Sequence, residues 1–214
     1  RMDIGAVTLT KATTFDTGNA AAGVLNIGAV TSGTNSLTLD SGATAGATMS
    51  LTSMVDASGG LTIRDAGGLA TIGDIGSGTA GAVTITDSTG GVTFSGNVDS
   101  TTLTITDTTD AAVVTFAQGG DVDITTSFDT ANQGYAVTIN SSTFDAAGDT
   151  DFLNTGTVIL GNDASDVLTF AGGLATTGNG SNPGTVNAAG TINTTNTRMD
   201  IGAVTLTKAT TFDT

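Results

Sequence analysis

Apolar-polar-apolar triplets recur along the chain, with Gly, Asp, Ser or Asn between them. They include Val7-Thr8-Leu9, Leu37-Thr38-Leu39, Leu61-Thr62-Ile63, Val83-Thr84-Ile85 and Val92-Thr93-Phe94. Further on come Leu103-Thr104-Ile105, Val114-Thr115-Phe116, Val122-Asp123-Ile124, Val137-Thr138-Ile139 and Leu168-Thr169-Phe170. Each triplet has the period of two of a half-buried strand, with the apolar positions inward and Thr outward. Their spacing suits a β-sandwich as well as a solenoid, so spacing alone leaves both open.

A finer repeat separates the two. The segments LTIRDAGGLATI (61–72), VTITDSTGGVTF (83–94) and LTITDTTDAAVVTF (103–116) align. Their first strands end at Ile63, Ile85 and Ile105, steps of 22 and 20, and their second strands at Ile72, Phe94 and Phe116, steps of 22 and 22. Leu39 and Leu51 extend the two series toward the N-terminus. Equivalent positions returning every 20–22 residues predict an all-β, parallel β-solenoid whose turns stack along one axis. The expected unit has about nine turns, each with two main strands and two corners, and rises about 43 Å at the spacing of paired strands. After Ile124 the register loosens, and 128–156 and 176–190 read as longer corners or small protrusions. Pro183, the only proline, lacks the N–H that a ladder needs and marks a loop.

A longer repeat overlies the short one. Residues 1–17, RMDIGAVTLTKATTFDT, return unchanged as residues 198–214. The chain therefore divides into one repeat unit, 1–197, and the start of the next, 198–214, as expected of a window on a tandem array. No charge run or linker separates domains.

Composition supports the all-β reading. All 20 acidic residues are Asp, there is no Glu, and the straight-chain helix formers are nearly missing. With no Trp, one Tyr and 8 Phe, a thin core of Val, Ile, Leu, Ala and Thr is expected. The net charge of −15 excludes a general nucleic-acid footprint. No apolar run approaches the roughly 18 residues of a membrane helix, so membrane insertion is not expected. The lack of Cys leaves stability to packing and ladder hydrogen bonds.

Candidate chemistry is sparse. Without His, Cys or Glu, most acid-base and nucleophile arrangements are impossible, and no catalytic, cofactor-binding or metal-ligating residue is assigned. Calcium is the one ion that the oxygen-rich corners suit. GNDASD (161–166) carries Asp163 and Asp166, and Asp121 with Asp123 and Asp149 with Asp151 form isolated pairs. The alternative for each is an Asp bonding the backbone of its own turn. Asp65, Asp87 and Asp107 fall in one column, where stacking brings like charges together unless the side chains splay or a cation bridges them. The Thr-x-Thr pairs Thr8/Thr10, Thr84/Thr86, Thr104/Thr106 and Thr205/Thr207 would suit an ice-binding array only if unbroken, and Arg64 interrupts them. Lys11 and Lys208 read as solvated lysines, with an intramolecular isopeptide as the alternative.

The phrases GAVTLTKATTFDTG, GGLTI, GAVTIT, GGVTFSGNV and NAAGTINTTNT resemble the strand-turn vocabulary of giant exported bacterial repeat proteins. These are the filamentous-haemagglutinin-like and autotransporter-like adhesins. The resemblance covers nearly all of the chain and implies a right-handed β-solenoid, secretion to the cell surface, and a role in adhesion, matrix or filaments. It brings no functional residue with it. The function expected is that of a non-catalytic structural unit of an extracellular fibre, with its own neighbouring units as partners. The alternative is an adhesin that binds a host cell or glycan through protruding segments.

Overall fold

The computed structural model describes residues 1–106 and 111–214, and among these every regular element is a β-strand. The strands pair in parallel and wind into a β-solenoid of about nine turns. Each turn contributes a strand to three faces, which the chain visits in a fixed order. In the first turn these are Met2–Ile4 on the first face, Val7–Thr8 on the second and Thr13–Asp16 on the third. The expectation of two strands per turn therefore missed one whole face.

The first face carries Ile4, Ile27, Leu51, Ile72, Phe94, Phe116, Ile139, Leu160, Ala188 and Leu206 in one column. The second carries Val7, Val30, Met54, Ile75, Val98, Val122, Phe144, Leu168, Ile192 and Phe212. The third carries Phe15, Leu39, Ile63, Ile85, Ile105 and Thr130, and farther along the axis Thr150, Leu174 and Met199 stand in register with one another. The two columns anticipated from the sequence are the first and third faces. Steps along the first column are 23, 24, 21, 22, 22, 23, 21, 28 and 18 residues. Turns of 21–23 residues thus describe the middle, while toward the end one corner insertion stretches a step to 28 and the final step shortens to 18.

Alternation sets which side chains are inside. Leu37, Leu39, Leu61, Ile63, Val83 and Ile85 are buried, while Thr38, Thr62 and Thr84 between them are partly exposed. No single turn can enclose its own apolar residues, so the turns above and below complete the core. Close approach of successive turns leaves no room for a Cβ at some corners. One added at Gly81 would lie 1.6 Å from the carbonyl oxygen of Ala57.

The core changes character along the axis. Aliphatic residues fill the first turns, as expected, but from Phe94 onward phenylalanines form a spine. Phe94 and Phe116 stack at 5.2 Å, Phe116 meets Phe144 at 5.4 Å, and Phe144 meets Phe170 at 5.5 Å. Phe128 and Phe152 join from the third face at 5.7 Å. Segment 128–156, expected as a corner or protrusion, is instead woven into the body. Phe128, Tyr135, Phe144 and Phe152 in it are buried. The Tyr135 hydroxyl accepts the Ala131 N–H at 2.8 Å and donates to the Ile105 carbonyl at 3.3 Å, which satisfies its buried polar tip. Of 176–190, the other expected corner, only the first part, which holds Pro183, stands out, with residues 177–180 exposed; from Thr185 it joins the strand Thr185–Asn193, whose Val186, Ala188 and Ala189 are buried.

Candidate assembly surface

The acidic residues singled out from the sequence meet different fates. In GNDASD, one oxygen of Asp166 accepts the N–H groups of Asn162 (2.8 Å) and Asp163 (2.9 Å). Asp163 accepts the N–H and hydroxyl of Ser165, which hold its carboxyl below the usual range. This corner is an Asp-built turn, the alternative to calcium. Asp121 accepts the Thr143 hydroxyl at 2.7 Å, and Asp123 stands between Asp99 and Asp145 in an outward row of the second face. Burial first, then Asp123, Asp121 and Asp74, push the Asp99 carboxyl up.

The Asp65 column is partly bridged from within the chain. The register places Asp16, Asp40 and Asp65 in successive turns. The Arg64 guanidinium donates to Asp40 at 2.6 Å and reaches Asp16 at 3.5 Å. At Asp65 the Arg64 charge also favours the carboxylate, but it is outweighed. Burial raises its pKa, with Asp87 and Asp40 adding to the effect, and one of its oxygens is buried with no hydrogen-bond partner. Asp107, the third member expected here, lies outside the described residues. Among the described residues no group of three or more acidic side chains is arranged to hold a metal ion.

Outward threonines form a row of their own on the third face, Thr14, Thr38, Thr62, Thr84 and Thr104. The second rank that a Thr-x-Thr array needs is missing, because Asp16 and Asp40 occupy it in the turns of Thr14 and Thr38, and Arg64 follows Thr62 by two residues. Lys11 and Lys208 are exposed, and neither forms an ion pair among the described residues.

The last turn carries the densest polar arrangement, and its key residue belongs to the second copy of the repeat. Arg198 donates from one terminal nitrogen to Asp149 at 2.7 Å and also to Asp151, and these two carboxylates raise its pKa. The sequence presents Asp149 and Asp151 as a lone pair; the fold supplies a cation from 47 and 49 residues away. No local signal could have found it, since only the stacking of the third face brings these positions together. Around this clamp the second copy adds complete rungs. Met199 and Asp200 pair with Leu174 and Ala175, and the strand Val204–Asp213 pairs with Thr185–Asn193. The backbone contributes Leu174 N–H to Arg198 O and Thr176 N–H to Asp200 O, each at 2.9 Å. Residues 198–214 thus lie on the unit as its next rungs, with no break and no polar cap between.

A surface of this kind can bind backbone to backbone, with apolar columns setting the register and arginine setting the orientation. The chain matches no family model, no curated protein and no solved structure.

Proposed function

We propose that this chain is a structural, non-catalytic repeat unit of an extracellular bacterial fibre, stalk or surface filament, built from solenoid units joined head to tail. One observation carries the reading: the start of a second unit is seated on the end of the first as a continuation of the same parallel ladders. The mechanism is mechanical. A ladder running from unit to unit resists bending, and copy number sets length. The outward Asp residues keep the sides charged and discourage lateral pairing of rods. The resemblance of the strand-turn vocabulary to exported bacterial repeat proteins supports the location.

Electron microscopy of the native material tests this, with a power spectrum along the long axis. Filaments with a meridional signal near about 4.8 Å are expected. Dispersed particles or a beaded string would sink the reading. The exposed corner at 177–180 favours a second one, an adhesin that grips a cell or glycan there. Glycan-array binding that disappears when those four residues are replaced would move the assignment to it.

A further inference from the structure

The two copies of the seventeen-residue segment do not occupy equivalent places. Met2 lies on the first face, in register with Leu25, whereas Met199 lies on the third, in register with Leu174. Val7 is on the second face beside Val30, but Val204 is on the first beside Val186. Phe15 is on the third face beside Leu39, but Phe212 is on the second beside Ile192. The whole segment has slipped by one face.

We infer that the last turn of a unit is a docking surface for the first seventeen residues of the following unit, and that it seats them one face out of phase, so that successive units are rotated by a third of a turn about the rod axis. The inference rests on reading residues 198–214 as the start of a further unit. The occupant is identified by identity, because the segment already seated has the sequence of residues 1–17.

Three features set the phase. The unit ends in a corner, 194–197, that delivers the chain from the second face to the third. Thr195 and Asn196 in it are left-handed, at φ 51° and 64°, and the Thr195 and Thr197 hydroxyls both donate to the Ala171 carbonyl at 3.1 Å. Arg198 then clamps Asp149 and Asp151, two earlier positions on that same face. Finally, Val204 and Phe212 meet Val186 and Ile192, so the slipped segment still finds an apolar partner in each column. A pattern with the same inward alternation on all faces tolerates the slip; the corner and the clamp choose it.

The consequence for a fibre is rotational. The Asp99–Asp123–Asp145 row lies on the second face of one unit, on the first face of the next and on the third of the one after. Three units restore the phase, and no side of the rod stays continuously acidic.

The chain has no Cys, which allows a direct test on the full 214 residues by oxidative cross-linking. Asn187 and Thr205 are outward neighbours in the observed phase. If the second copy took the faces of the first, Asp200 would stand opposite Asn187 instead. Paired parallel strands bring Cα atoms within disulfide range. Asn187→Cys/Thr205→Cys is expected to close as readily as an internal control, Thr93→Cys/Thr115→Cys. It should close at least about tenfold faster than Asn187→Cys/Asp200→Cys. Preferential closure of the Asp200 pair would overturn the slip. Closure of the control alone would overturn the docking surface. Neither result depends on whether filaments form, so the two readings fail separately.

Discussion

Seventeen identical residues, placed at two ends of one molecule, adopt two conformations. In the first copy, Val7–Thr8 and Thr13–Asp16 are separate strands on two faces, joined by a corner at 9–12. In the second, the same ten residues form one strand, Val204–Asp213. Leu9 is buried at 6% exposure, while its counterpart Leu206 is 55% exposed. Arg1 turns back on Asp3 at 2.6 Å, while Arg198 reaches across two turns. The neighbouring turn makes the difference. Residues 1–17 lie against a turn with a corner at Ser32 to Asn35, where the Asn35 amide donates to the carbonyls of Leu9 (3.0 Å) and Ser32 (3.1 Å). Residues 204–213 lie against Thr185–Asn193, a strand that continues through a bulge between Ala188 and Gly190. In-register parallel pairing copies the corners of the turn beneath, so the template prevails over local preference.

Paired substitutions at equivalent positions sharpen this contrast. The largest difference is expected for Leu9→Ala against Leu206→Ala. Removing the buried side chain should cost about 2–3 kcal/mol, and removing the exposed one less than about 0.5 kcal/mol. Hydrogen exchange at the amides of Leu9 and Val30 reads the first loss locally, which matters because solenoid ends can open independently of the body. Equal costs would mean that the two copies share one environment.

Next comes Arg198→Ala against Arg1→Ala. Losing Arg198 leaves Asp149 and Asp151 facing each other, and about 1 kcal/mol is expected because both carboxylates are substantially exposed. The loss should shrink in high salt. Arg1→Ala should leave the melting temperature nearly unchanged, since its contact with Asp3 is largely exposed and spans only two residues of one strand end.

The smallest effect separates acidic rows with and without an arginine. Asp40 and Asp16 have Arg64, whereas Asp99 and Asp123 stand in a row without one. The Asp99 and Asp65 carboxyls have pKa values raised above their unfolded values. The resulting penalty is fully present at neutral pH and is relieved as pH falls through the raised folded values. The melting temperature should therefore rise slightly from pH 7 toward pH 5. Asp123→Asn should add about 0.5 kcal/mol at pH 7 and flatten that rise. A melting temperature that falls over the same range would show the row to be bridged or fully solvated.

Two of the three faces were legible because their strands carry full apolar-Thr-apolar triplets at steady steps. The second face was not in the middle turns. Met54 lies between Ser53 and Val55, Ile75 between Asp74 and Gly76, and Val98 between Asn97 and Asp99, and one inward residue per turn shows no period. Segment 128–156 misled for a related reason. Its inward positions include Thr130 and Thr150, both buried, so polarity suggested a loop, yet only the Thr130 hydroxyl finds partners there and that of Thr150 is buried without one. The Thr130 hydroxyl donates to the Asp151 carbonyl at 3.0 Å and accepts the Leu153 N–H at 2.8 Å. The Arg198 clamp had no sequence signal at all, because its partners share a face with it only after two turns of winding.

The sequence by itself determined the all-β class, the stacking of turns, which side chains of the regular triplets point inward, and the identity of residues 1–17 with 198–214. Each of these follows from local alternation, composition or direct repetition. Only the tertiary structure decided how many faces a turn has and which face each copy of the repeat occupies. Phase along a solenoid is the accumulated result of every corner length in between, so no short stretch contains it, and seventeen residues cannot carry their own address.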